Sequence, residues 1–252
     1  SPKALDVPHV GLLWNPLDFY HNFGFVPHFA HQLTHDYLAT AGARLVEEAF
    51  APFRPDLFSS PLPVLNHTVP ERYLAPVERT DRRLFYVGVN REKVIGLGRR
   101  HSDLLGRLDD AGVSQIYGPR KIENFGPWEG YQTYRGDLPF DGWSVIDAIN
   151  KAGSALVTSS AAHYRDGIMS CRPFEAAAAG VPLISERHPF MIEHFSDAAL
   201  FFDERAGVAE QAAEILAHIR RLNEEPAFAL ELAARAQTVL RERFSLDEQL
   251  DL

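Results

Sequence analysis

Cysteine is nearly absent: Cys171 stands alone among 252 residues. That excludes an internal disulfide framework and a zinc site built on several thiolates, and it fits a reducing compartment. Long apolar runs are missing too, since none reaches the roughly 18 residues of a membrane span. The opening "SPKALDVPHVGLLW" has neither the basic start nor the apolar stretch of a signal peptide. The expectation is a cytoplasmic protein with no transmembrane segment. Basic residues are outnumbered, 25 against 34 acids, for a net charge of −9, which argues against a nucleic-acid partner or an anionic membrane surface. No Asp-X-Asp motif occurs to bridge a diphosphate through a metal. What remains is ordinary globular composition, 46% hydrophobic and 23% charged, in a chain long enough for one large or two modest domains.

From residue 84 onward, apolar runs of strand length alternate with helical patterns. Strands are expected at 84–89, 113–118, 133–136, 154–159, 181–185 and 199–203. Between them lie amphipathic stretches such as "HSDLLGRLDDAG" and "WSVIDAINKAG", most ending in glycine, and two longer helices close the chain from residue 208. Such alternation implies βαβ units around a parallel sheet, with ligands outside the carboxyl ends of the strands. The fold class is therefore α/β. The first segment differs. "HVGLLW" reads as a strand and residues 39–53 as a helix, followed by a proline-rich linker. The domain boundary is placed near residue 78, giving domains 1–78 and 79–252.

The stretch "SCRPFEAAAAGVPLIS", Ser170 to Ser185, carries the chemistry. Pro173 suits a helix start, which makes Arg172 the expected N-cap and sets Glu175 in the first turn. Gly180 and Pro182 stop the helix after about two turns, roughly 10 Å. Four alanines, Ala176 to Ala179, let so short a helix lie close to its neighbours. A first-turn carboxylate can accept hydrogen bonds from hydroxyls, and a helix start attracts phosphate. Together they suggest a nucleotide. Glu175 has an alternative task, capping its own helix.

The order of these elements, with "RPFEAAAAGVPLIS" as its most specific piece, resembles the C-terminal, donor-binding domain of GT-B fold glycosyltransferases over about residues 79 to 245. It is closest to the CgeB-like group, related to the large retaining clan. The resemblance implies a Rossmann-like sheet, with residues 1–78 as part of a facing, acceptor-side domain. It also implies transfer of a sugar from a nucleotide-diphosphate sugar to a glycan, lipid-linked glycan or protein hydroxyl, with retention and without a metal or other cofactor. Glu175 matches the clan's ribose-binding acid. Arg172, just before "FE", would offset leaving-group charge on the diphosphate, with a surface or interdomain ion pair as its alternative. Many retaining members carry a further acid eight positions before this Glu, but residue 167 is Gly, and Asp166, the nearest acid, is the catalytic candidate beside Arg172.

Asn90, Arg91 and Lys93, after the first strand of the sheet, are candidates for the donor phosphates. Tyr117 and Gly118, ending the second strand, are candidates for the base, with Tyr117 as a core tyrosine the alternative. Ser170 joins them as a nucleotide contact, while Ser159 and Ser160 either line the crevice or form a turn. His28, His31 and His35 share a helical spacing, but the outer two would stand about 10 Å apart, too far for one metal. A role for His21 in acceptor binding stands beside simple packing. GT-B enzymes have two Rossmann-like domains, and only about 78 residues precede the boundary, so the chain is expected to be a fragment or to have a reduced acceptor domain. Rival functions on the same fold are a non-catalytic nucleotide-sugar or protein-binding module and a sugar-nucleotide epimerase.

Overall fold

The computed structural model describes residues 7–21, 26–78, 81–90, 100–122 and 124–250, and the chain divides into two compact units. The first joins Ser1–His67 with Ser159–Ser170 and Asp247–Leu252, and the second comprises Thr68–Thr158 and Cys171–Leu246.

In the first unit β1 (Val10–Leu13) and β2 (Tyr37–Thr40) run parallel, in register from Val10 opposite Tyr37 to Leu13 opposite Thr40. A parallel pair needs a crossover, here supplied by the helices Leu17–His21 and Val26–Gln32. The helix expected over 39–53 is corrected. Ala39 and Thr40 finish β2, and Gly42 then turns the chain at φ 81°, its N–H donating to Thr40 Oγ1 at 3.1 Å. Only after this turn does the helix Arg44–Phe50 begin, and it tightens into a 3₁₀ turn at Ala51–Phe53. Val46 and Phe50 pack with Leu13, Tyr20, Leu38 and Ile168. Ile168 shares this core, which joins residues 159–170 to the unit despite their place in the sequence.

The second unit is built on six parallel strands: β3 (Arg83–Val87), β4 (Ser114–Tyr117), β5 (Tyr134–Gly136), β6 (Gly153–Val157), β7 (Leu183–Glu186) and β8 (Ala199–Phe202). Each lies within two residues of its expected bounds. Their order is β5-β4-β3-β6-β7-β8, the doubly wound 3-2-1-4-5-6 arrangement. Every residue of β6 and β7 is buried, as strands covered on both faces must be. Over one face the helices Ser102–Asp110 and Val208–Glu224 pack on each other, enclosing Leu84, Tyr86, Leu105, Ile116 and Ile215. Over the other, Arg172–Ala178 lies against β6 and β7 and packs on both Ser144–Ala152 and Pro226–Arg243.

Ala176 to Ala179 are fully buried in that sandwich. Larger side chains would hold the helix away from its neighbours. Gly180 follows at φ 65°, where a Cβ would stand 2.9 Å from Pro76 O. The chain entering β3 is bound here: Ala75 N–H donates to Ala178 O at 2.7 Å, and Gln237 Nε2 to Ala75 O at 2.9 Å. These bonds are why residue 78, where the sequence places a boundary, sits inside the second unit.

Candidate functional site

Connections from β3 run one way along the sheet and those from β6 the other, so the switch point lies between these two strands. The carboxyl edge beside it is knitted by backbone. Gly88 N–H donates to Tyr117 O at 3.1 Å, and Gly118 N–H to Gly136 O at 3.0 Å. Trp128 Nε1 donates to Gly88 O at 2.9 Å, and Tyr134 Oη to Gly118 O at 2.8 Å.

Onto this edge opens the helix Arg172–Ala178. Its N-cap is Cys171 rather than Arg172, one residue earlier than expected, and no side chain caps it. Glu175 is in the first turn as expected, and its side chain meets the Cys171 thiol rather than forming a capping box with the helix backbone. Its carboxylate Oε2 accepts from Arg172 Nη1, three residues away on the same helix face, where neighbours meet. The side chains are 27% and 20% exposed, so the pair is accessible from outside. Burial pushes the Cys171 thiol up to about 11, with Arg172 lowering it and Glu175 raising it, so the group between them is a neutral thiol at neutral pH.

The other candidates are placed unequally. Asn90 is buried at φ 53°, its Nδ2 donating to Pro127 O at 2.8 Å while its Oδ1 is buried without a hydrogen-bond partner among the described residues. It shapes the turn after β3, a position that Asn tolerates better than most residues. Tyr117 is half-buried, its ring stacked on Phe85 at 5.3 Å. The space a side chain at Gly118 would occupy is filled by Gly88 O and Trp128. Arg91 and Lys93 lie outside the described residues.

Asp166 and Ser170 belong to the first unit. Asp166 is buried and fully engaged: Oδ2 accepts from Leu17 N–H at 2.8 Å, and Oδ1 from Arg165 Nε at 2.6 Å. Arg165 also holds Asp18, at 3.1 Å. Ser160 caps the helix Ala161–Asp166, its Oγ accepting from His163 N–H at 3.2 Å, so turn chemistry accounts for it. His35 lies past the end of the helix that carries His28 and His31. Among the described residues no three His, Cys, Asp or Glu side chains are grouped to hold a metal ion, and no helix is long and apolar enough to cross a membrane.

Sequence reasoning overlooked one cluster. Glu186 closes β7 with 1% exposure, and its carboxylate meets Arg100 Nη1 at 2.6 Å and His101 Nε2 at 3.4 Å. This pairing anchors the start of the helix Ser102–Asp110 to the same sheet edge. The signal was an acid directly after the apolar run "VPLIS".

No curated protein sequence matches the chain. Solved structures do. Sucrose-phosphate synthase from Thermosynechococcus elongatus matches at TM-score 0.53 and 14% identity, over 90% of this chain and 59% of that one. A variant of S. aureus TarM, in complex with fondaparinux, α-GlcNAc-glycerol and UDP, matches at TM-score 0.59 and 11% identity, over 97% of this chain and 49% of its own. Anabaena HepE, in complex with UDP and glucose, matches at 0.57 and 12%, over 97% and 69%. At such identities the likeness shows a shared fold, that of GT-B glycosyltransferases, and this chain spans about half to two thirds of these structures. The family model described as glycosyl transferase-like matches residues 99–251, well over half of the sequence. The chain belongs to the glycosyl transferase-like family.

Proposed function

We propose that the protein moves a hexose from a nucleotide-diphosphate sugar to a hydroxyl of a glycan, lipid-linked glycan or protein. The observation that carries this reading is the placing of Arg172 and Glu175 side by side on a helix that opens onto the carboxyl edge of a doubly wound sheet. Glu175 would accept hydrogen bonds from the ribose hydroxyls. Arg172 would bind the diphosphate and offset the charge that develops as the bond between sugar and phosphate breaks. That counter-charge suits a metal-independent route. Retention of configuration and kinship with the CgeB-like group are carried only by the likeness of "RPFEAAAAGVPLIS" to the retaining clan. UDP in HepE and TarM makes UDP-sugars the first donors to try.

A non-catalytic binding module on the same fold is favoured by one observation, the structural engagement of Asp166, the acid nearest the position where many retaining members carry one. One assay separates the readings. A panel of sugar nucleotides is incubated with and without acceptors, scoring nucleoside diphosphate release. The transferase reading expects release from at least one donor, abolished in Glu175→Ala. A module would bind a donor with no release, and binding of none would refute both.

A further inference from the structure

The Arg172–Glu175 contact joins two side chains to which the proposed function gives different ligand parts, one the diphosphate and the other the ribose. In the structure each lies against the other. A ribose hydroxyl approaching Glu175 therefore competes with a charge-assisted hydrogen bond from a guanidinium, which is stronger than the neutral–charged bond it offers in exchange. A diphosphate faces no such loss, because it brings the guanidinium a partner of higher charge and matching geometry.

The surroundings leave the side chains as the part that moves. Ala176 to Ala179 are fully buried and Gly180 is held against Pro76 O, so the helix itself is wedged. Arg172 and Glu175 are partly exposed in its first turn. The thiol of Cys171 adds no competing charge.

We infer that Arg172 locks Glu175 until a diphosphate draws the guanidinium away, so that phosphate and ribose recognition are coupled and the site selects nucleoside diphosphates against free nucleosides. This rests on the proposed nucleotide site but does not follow from it, since independent contacts would bind the same ligand. The two states are a closed pair and an open one. With the pair closed nine-tenths of the time, the apparent affinity for a nucleoside falls about tenfold below that of the open site. By linkage, pyrophosphate and nucleoside then strengthen each other's binding by one common factor.

The test uses the whole chain and ligand-observed NMR. Uridine is titrated with and without saturating pyrophosphate, alongside UDP, ADP and GDP; if one of the other diphosphates binds instead of UDP, its nucleoside replaces uridine. In the wild type, pyrophosphate should tighten nucleoside binding about fivefold to tenfold. In Arg172→Gln, the nucleoside should bind more tightly than to wild type without pyrophosphate, and pyrophosphate should change it less than twofold. A diphosphate that binds while pyrophosphate leaves the wild-type nucleoside affinity unchanged or weaker overturns the lock alone. Failure of all three diphosphates to bind overturns the nucleotide site and the lock with it. Should Arg172→Gln not fold, the wild-type comparison decides by itself.

Discussion

Replacing Gly118 with alanine puts a methyl group where the carboxyl edge has no room. The new Cβ would stand 2.2 Å from Gly88 O and 2.3 Å from Trp128 Nε1, well inside contact distance. Neither atom is the loose end of a side chain. Gly88 is backbone held to Tyr117, and Trp128 is a buried indole packed edge-on against Tyr86 and Tyr131. Relief requires parting Trp128 from Gly88, which breaks their 2.9 Å hydrogen bond and strands the buried indole N–H. Overpacking costs about 1–3 kcal/mol, and a broken buried hydrogen bond about 1–3 more, so about 4 kcal/mol is expected. That is a large share of a typical total of roughly 5–15 kcal/mol. Guanidinium unfolding followed by tryptophan fluorescence reads the loss as a lower midpoint. A change below about 1 kcal/mol would refute the reasoning. Gly118 acting instead as an open base contact would leave stability intact and lower only nucleotide affinity.

Asp166→Ala should destabilise the protein by about 2–3 kcal/mol, since Leu17 N–H and Arg165 lose a buried acceptor, while Asp166→Asn should lose less; equal thermal midpoints for wild type and Ala would remove its structural role. Cys171 should react slowly with iodoacetamide at pH 8, on the order of a hundredfold below an ordinary thiol of pKa near 8.5. Because burial raises its pKa to about 11, the thiolate is disfavoured below that value, and the rate should keep climbing beyond pH 9. A plateau by pH 9 would contradict this.

The strands and long helices were legible because each keeps one period along its length, and several stop beside a glycine or proline. The final helices, expected from residue 208, appear as Val208–Glu224 and Pro226–Arg243, with Pro226 separating them. β2 was not legible. Its four residues run into "ATAGARLVEEAF", whose alanines and helix formers extend the helical pattern backward, and only pairing with β1 makes Tyr37–Thr40 a strand. The discontinuous first unit was hidden for a similar reason: Ile168 joins the core of Leu13 and Phe50 through tertiary contacts that no local pattern records. Glu186 follows the same rule, since its partners Arg100 and His101 precede it by more than eighty residues. The Arg172–Glu175 pair is the opposite case. Its spacing of three on one helix was visible all along, and assigning each residue a separate ligand part concealed that they face one another.

The alanine run explains why that pair, rather than the helix, is the adjustable part. A seven-residue helix is unstable alone, so its position comes from packing against β6, β7 and two longer helices. Packing that close demands side chains no larger than methyl on the inner turns, and Ala176 to Ala179 supply them. The bonds from Ala75 and Gln237 then fix the chain crossing its far end. A helix held on so many sides shifts only by disturbing several close-packed contacts together, whereas the partly exposed Arg172 side chain in its first turn can rotate without moving the helix. Selectivity built on this helix must therefore reside in side-chain rotation, which places the switch at Arg172 and Glu175.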